Sequence, residues 1–281
     1  MNNTLSTPFF RLDGFAPLEK LFVMTDIHGC YEAMERLLSF YDGKSKVVFM
    51  GDAIDRGEKS FEVVKRLLEL NAVTLFGNHE IMSLDYYYYN DFNDEGMTPS
   101  KLWVFFNGGE TTLESFEKAV LDGEENLEKK NPDKYFPAPY EIYVKNCVSH
   151  YLSGNILFCH AGLPTDRSFD FSCNPFDRDN FDKEYAWWRG ETEQESGYTS
   201  QRIFEGQKVF TVSGHTTCEC SKMRQPFGIR LDTGHSLKAA LEIEPLSDTS
   251  SQYRIILTSC DEVEDAGDIQ KAFKEILTGS I

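Results

Sequence analysis

Three hydrophobic runs, at residues 21–24, 47–50 and 73–76, each end in a short polar motif. The motifs are Asp26-Ile27-His28-Gly29, Gly51-Asp52-Ala53-Ile54-Asp55-Arg56-Gly57 and Gly77-Asn78-His79-Glu80. Asp26 and Asp52 lie 26 positions apart, and so do Asp52 and Asn78. This even spacing suits two consecutive β-α units. Parallel strands need crossovers, and their ligands sit beyond the carboxyl ends of the strands. Residues 21–80 therefore read as strand, helix, strand, helix, strand, with three polar loops at one sheet edge. Ala33, Met34, Leu37 and Leu38 carry the first helix. Phe61, Val64, Leu67 and Leu68 carry the second, with Ser60 as its N-cap. Hard and borderline ligands converging beside an arginine describe a metal-assisted phosphoryl-transfer site.

Residues 81–150 break this rhythm. They hold four consecutive tyrosines (Tyr86 to Tyr89), an acidic loop, a helix-like run at 111–120 and a charged stretch at 122–134. The segment reads as a mostly helical insertion at the rim of the site, carrying no ligand and bearing on substrate choice more than on chemistry. The tyrosines read as helix packing plus exposed rings, with a rim contact for a phosphopeptide as the sharper alternative. From residue 155 the chain turns β-rich, with strands expected at 156–159, 209–212, 229–231, 239–243 and 253–257, and a last helix at 269–277. The fold class is α/β, a two-sheet sandwich flanked by helices, and residues 1–281 read as a single domain.

Composition excludes some classes. No run of 18 apolar residues is present, so no membrane partner is expected. The first twenty residues do not read as a secretory signal. A net charge of −18 argues against nucleic acid as a partner, and bound cations would neutralise part of it. Seven scattered cysteines without a Cys-x-x-Cys pair read as reduced thiols of a cytoplasmic protein, with one incidental disulfide in an exported protein as the alternative. Cys30 and Arg36 have the spacing of a thiolate phosphatase but lack the glycine-rich phosphate loop between them.

The three motifs, in this order, resemble the phosphoprotein phosphatase family of calcineurin-like metallophosphoesterases. The resemblance is nearest to its small bacterial and phage serine/threonine phosphatases. Further matches are Cys159-His160-Ala161-Gly162, Trp187-Trp188-Arg189, Gly214-His215-Thr216 and Leu231-Asp232-Thr233-Gly234. Thr25 replaces the usual glycine before the first aspartate, which costs no ligand. The resemblance implies the two-sheet metallophosphoesterase sandwich and two divalent ions per chain. Asp52 would bridge them, with Asp26 and His28 on the first ion and Asn78, His160 and His215 on the second. A donor set of N and O suits Mn²⁺ first, or Fe²⁺ or Zn²⁺.

The same resemblance makes His79 the catalytic acid with Asp55 as its partner, and Arg56 and Arg189 the phosphate clamps. A carboxylate raises imidazole basicity and orients the ring, while a guanidinium fork matches phosphate geometry. His150 reads as an exposed connector residue and His235 as a loop histidine. The implied activity is a phosphomonoesterase in which water activated by two metals attacks phosphorus in line. A phosphoprotein or phosphopeptide is the expected substrate, with serine or threonine phosphate first and tyrosine phosphate also open. Glu80 and Asp55 follow the phosphoprotein branch. The alternatives are a symmetrical dinucleoside tetraphosphate hydrolase and a non-catalytic module that binds phosphorylated partners.

Overall fold

The computed structural model describes residues 4–89, 91–123, 136–165, 171, 184–189, 198–260 and 266–279. Among these, two sheets pack face to face. The first has seven strands: β1 (Thr4–Ser6), β2 (Phe10–Asp13), β3 (Leu21–Met24), β4 (Lys46–Phe49), β5 (Val73–Thr74), β12 (Leu237–Ser247) and β13 (Ser250–Ser259). Their order is β1-β13-β12-β3-β4-β5, with β2 paired to β13. The second has six: β6 (His150–Ser153), β7 (Ile156–Cys159), β8 (Arg202–Phe204), β9 (Gln207–Ser213), β10 (Arg224–Gln225) and β11 (Gly228–Arg230). The order there is β10-β11-β9-β7-β6, with β8 on β9.

Strand periodicity explains the continuous apolar runs. Along β3, Leu21 and Val23 enter a core shared with Ile156, Phe158, Phe210 and Val212 of the second sheet. Phe22 and Met24 point the other way, onto helices α1 (Tyr31–Leu38) and α2 (Ser60–Glu69). A parallel strand covered on both faces needs apolar residues at every position. Each buried Val, Leu or Phe contributes about 1.5–3 kcal/mol of transfer free energy. The outer face of the second sheet has a smaller cluster of Leu157, Cys159, Leu163, Phe204 and Val209.

Register places the motifs. Met24 pairs with Phe49 and Phe49 with Thr74, so β3, β4 and β5 end level with one another. In the second sheet Phe158 pairs with Val212, which aligns the chain before His160 with the chain before His215. Four backbone bonds stitch the first two loops together: Asp26 N–H to Gly51 O at 3.0 Å, His28 N–H to Asp52 O at 3.0 Å, Gly29 N–H to Ala53 O at 2.8 Å and Gly57 N–H to His28 O at 3.0 Å.

The aperiodic segment is helical where described: α3 (Asn78–Tyr89), α4 (Pro99–Phe106), α5 (Gly109–Leu121) and α6 (Ala138–Asn146). Residues 124–135, most of the charged stretch, lie outside the described residues. Thr98 caps α4 by accepting from Lys101 N–H at 3.3 Å, with Pro99 at the first helical position. Trp103, Phe116, Tyr140 and Tyr143 join the α1–α2 core. A one-turn helix, α7 (Glu184–Trp187), precedes β8, and α8 (Ala266–Thr278) follows β13. No helix among the described residues is long and apolar enough to cross a membrane.

Several local expectations change. Ser60 is the first residue of α2, not its cap, and its hydroxyl accepts from Asp55 N–H at 3.2 Å. The N-terminal strands β1 and β2 carry too few apolar residues to stand out in the sequence; pairing to β13 makes them strands. His150 is half-buried in β6, its ring against Phe171 at 4.9 Å and Phe204 at 5.1 Å, and burial lowers its pKa. Tyr86 is buried between Phe92 and Trp103, Tyr87 stacks on Phe136, and Tyr88 is exposed.

The cysteines are not all reduced. Cys30 and Cys260 form a disulfide with Cα atoms 6.2 Å apart, across 230 positions of sequence. The end of β13 lies over the start of α1, and spacing along the chain holds no trace of that proximity. Cys147, Cys159, Cys218 and Cys220 are free, and Cys173 lies outside the described residues.

Candidate active site

The level ends of β3, β4, β5, β7 and β9 bring Asp26, His28, Asp52, Asn78, His160 and His215 to one buried place. Their backbone is unusual. Eight described non-glycine residues have positive φ, and six are Asp26, His28, Asp52, Asp55, Arg56 and His215. Each left-handed non-glycine residue costs of order 1–3 kcal/mol, a cost that surrounding structure must sustain. Glu80 provides part of that support. Fully buried, it accepts from Asp52 N–H (2.8 Å) and Gly77 N–H (2.9 Å) on one oxygen and Ala53 N–H (2.8 Å) on the other. One carboxylate thereby locks the second loop to the third.

Asp52 is the hub. Its Oδ2 lies 3.6 Å from His28 Nε2 and 3.5 Å from His160 Nε2, and its Oδ1 accepts from His79 N–H at 3.1 Å. Carbonyls orient both imidazoles: His28 Nδ1 meets Ile54 O at 2.9 Å and His160 Nδ1 meets Met50 O at 2.7 Å. Such an outer bond fixes the tautomer and aims Nε2 inward. Asn78 Oδ1 lies 3.2 Å from His160 Nε2 and 2.9 Å from His215 Nδ1. Asp26 accepts from His215 N–H at 3.1–3.2 Å and from the Thr25 hydroxyl at 2.5 Å. Thr25, in place of the expected glycine, thus anchors a candidate ligand.

The electrostatics are those of crowded, buried charges. Burial opposes ionisation of Asp52, but the charges of His160 and His79 outweigh it and hold its pKa well below the usual range. Burial, then the charge of Asp232, pushes Asp26 up to about 7. Burial works against His160, yet Asp52 raises it to about 9, whereas burial and the charge of His160 lower His215 to about 2. A bound cation would invert this logic by supplying the positive charge itself.

The donors fit a metal pair. Asp52, His160 and His215 can each aim one ligand atom into a common volume, and so can His28, Asp52 and His79. Asp52 belongs to both groups, as a bridging ligand must. The buried Nε2 of His215 has no hydrogen-bond partner, a donor-acceptor atom left for a ligand.

His79 is placed differently from the other histidines. Its Nδ1 is 2.6 Å from Asp55 Oδ2, and its Nε2 is 3.2 Å from the Arg56 guanidinium. Both ring nitrogens of His79 thus face side chains, Asp55 on one side and Arg56 on the other, while His28, Asp52 and His79 still form one of the two groups that could hold an ion. Burial lowers the pKa of His79, but Asp52 and Asp55 together more than compensate and the net shift is upward. Asp55 is itself fully enclosed. Trp103 Nε1–H donates to Oδ2 at 2.8 Å, and the Thr112 hydroxyl donates to Oδ1 at 2.7 Å.

Arg56 stands beside His79, its N–H donating to Gly108 O at 3.2 Å. Arg189 is exposed, and its Nη1 donates to His215 O at 3.5 Å, which puts it at the edge of the site. His235 is exposed, within electrostatic reach of Arg56 and His79. The sequence reading missed Trp103, Thr112 and Lys238, and it took Glu80 only as a branch marker. Lys238 is buried and donates to Asp26 O (2.7 Å) and Gly234 O (3.0 Å). Its charge gives no clear signal in the sequence, because the same strand also carries Glu242 and Glu244. Cys30, disulfide-bonded beside the first loop, is no nucleophile.

Residues 19–229 match the family described as Calcineurin-like phosphoesterase, and the chain belongs to that family. It is 26% identical over 168 residues to the asymmetrical Bis(5'-nucleosyl)-tetraphosphatase PrpE of Oceanobacillus iheyensis, covering 52% of this chain and 57% of the relative. With Serine/threonine-protein phosphatase 2 of Salmonella typhimurium it shares 30% over 154 residues, 54% of this chain and 62% of the relative. A shorter match, 41% over 61 residues, joins it to a symmetrical Bis(5'-nucleosyl)-tetraphosphatase of Actinobacillus succinogenes, covering 20% of this chain and 22% of the relative. The chain thus spans less than two thirds of the length of each of these curated relatives. A solved metallophosphoesterase from Sphaerobacter thermophilus superposes with a TM-score of 0.45 at 13% identity, over 93% of this chain and 99% of that one.

Proposed function

We propose that this chain is a metal-dependent phosphoester hydrolase that acts on phosphomonoesters, with protein phosphoserine or phosphothreonine as its substrate class. The observation that carries the proposal is the buried Asp55–His79 pair at 2.6 Å, which leaves Nε2 facing Arg56 beside the Asp52 cluster. Asp26, His28, Asp52, Asn78, His160 and His215 would hold two divalent ions, Mn²⁺ first. When bound, the ions would supply Lewis acidity and an activated water.

The chain's own residues do the rest. The Arg56 guanidinium, with Arg189 at the rim, binds phosphate oxygens and stabilises charge in the transferring group. His79 gives up a proton from Nε2 to the leaving alkoxide, and Asp55 holds the ring so that Nε2 faces the departing oxygen. The enclosing bonds from Trp103 and Thr112 keep water from Asp55. A serine or threonine alkoxide is a poor leaving group and gains most from such an acid. That need distinguishes it from a nucleotide leaving group, which requires less help.

A second reading rests on the relatives. Two of those above are named as bis(5'-nucleosyl)-tetraphosphatases, which supports a dinucleoside polyphosphate substrate to a comparable degree. The deciding experiment compares kcat/KM for a phosphothreonine peptide and for diadenosine tetraphosphate with Mn²⁺ present. A higher value for the peptide is the expected outcome. The reverse order would move the chain to the dinucleotide reading.

A further inference from the structure

We propose that Trp103 and Thr112, both contributed by the segment inserted after the third motif, are positioning residues for the leaving-group acid. This rests on the reading of His79 as that acid. The two oxygens of Asp55 have separate tasks. Oδ2 takes His79 Nδ1 at 2.6 Å and Trp103 Nε1–H at 2.8 Å; Oδ1 takes the Thr112 hydroxyl at 2.7 Å. Asp55 N–H also meets Thr112 Oγ1 at 2.7 Å, and Ser60 Oγ lies 3.1 Å from that oxygen. Asp55, Trp103, Thr112 and Ser60 are all fully buried. Among the described residues the only ionic partner of Asp55 is His79. The indole and the hydroxyl therefore set the carboxylate plane, and that plane sets the direction in which His79 presents Nε2.

Close approach of the insertion is built in. Gly108 has φ +87°, and a Cβ there would lie 2.6 Å from Arg56 N. At Gly109 a Cβ would lie 2.6 Å from the Trp103 indole. Two adjacent glycines thus let one turn of the insertion press on the phosphate clamp and on the indole that holds Asp55. The insertion reaches the chemistry through Asp55, although none of its described residues belongs to the candidate ligand set.

The test uses the full-length protein loaded with Mn²⁺ and two esters that differ in leaving group. Trp103→Phe removes the donor and keeps a ring; Thr112→Val removes the hydroxyl and keeps the shape, so the second variant carries the test if the first fails to fold. We expect kcat for a phosphothreonine peptide to fall about tenfold or more, the scale of losing a partner one step behind a reacting group. With p-nitrophenyl phosphate, whose phenolate leaves without a proton, the loss stays below about threefold. KM, bound Mn²⁺ and melting temperature stay near wild type for Thr112→Val, and Thr112→Ser restores kcat. In an Asp55→Asn background Trp103→Phe adds no further loss, because both act through one group. Equal losses on the two esters, or independent losses in the double variant, overturn the inference. His79→Asn separates the two levels. If it too loses equally on both esters, the acid reading fails; if it alone is selective, only the positioning role fails.

Discussion

The three loops at residues 26–29, 51–57 and 77–80 and the segment at 81–150 build the same site by opposite means. The loops are repeats of one device. A buried parallel strand ends, the next residues turn through left-handed backbone in the first two loops or start α3 in the third, and a candidate ligand is presented at a fixed level. Among its described residues the inserted segment shows no repeat of this device, none of the candidate ligands and no strand on the site edge. Yet it buries Trp103 and Thr112 against Asp55 and lays Gly108 against Arg56. Metal chemistry demands several donors around one point, which register between strands supplies. Orienting a single carboxylate demands only two donors at the right distance, which any well-packed helix pair can supply. Regularity therefore marks the ligands, and packing marks their supports.

Asp52→Asn probes the loops most severely. Wild-type protein should take up about two Mn²⁺ per chain and the variant should lose most of both, as for a ligand shared by two ions. Elemental analysis after gel filtration reads this directly, and full occupancy in the variant would break the claim that Asp52 is the hub. His79→Asn should keep its metal while kcat for a phosphothreonine peptide drops by about 10²-fold or more. A parallel loss of Mn²⁺ would return His79 to the ligand set.

Stability separates the two regions further. The first loop is tethered covalently, since Cys30 opens α1 and pairs with Cys260 at the end of β13. Cys260→Ser should lower unfolding stability by about 2–4 kcal/mol, the usual worth of a disulfide closing a long loop. Denaturant titration of the variant, and of wild type with and without dithiothreitol, measures it; identical midpoints would mean the tether carries no load. In the insertion, Tyr86→Ser should cost about 3 kcal/mol, as for removing a buried aromatic ring. Tyr88→Ser should stay within about 0.5 kcal/mol, the range of surface changes. If Tyr88→Ser instead changes kcat/KM for phosphopeptides and leaves that for p-nitrophenyl phosphate alone, the exposed ring is a substrate contact.

What could be read in advance follows the same division. The strand–loop units at 21–80 were legible because a strand buried on both faces has a continuous apolar signature, and because its loop follows at once. The placement of His160 and His215 with them was legible only through their motifs, since the β-rich half gives no spacing rule comparable to the 26-position repeat. Glu80 was visible as a letter of the third motif, but its task, accepting three backbone amides, depends on the second loop lying beside the third. His150 was misread as exposed because nothing near it in the sequence announces Phe171 and Phe204.

The sequence by itself determined the alternation of strand and helix, the level of the three loops and the chemistry of the donors. These follow from periodicity and residue type, which act over a few positions of chain. Tertiary structure alone decided that Cys30 meets Cys260, and that Trp103 and Thr112 hold Asp55. The two contacts to Asp55 join residues 48 and 57 positions apart, with no pattern in the sequence to link them. Hydrogen bonds are made at about 3 Å in space, and only the packing of α5 on α2, and of α4 on α3 and α5, brings those atoms within that distance.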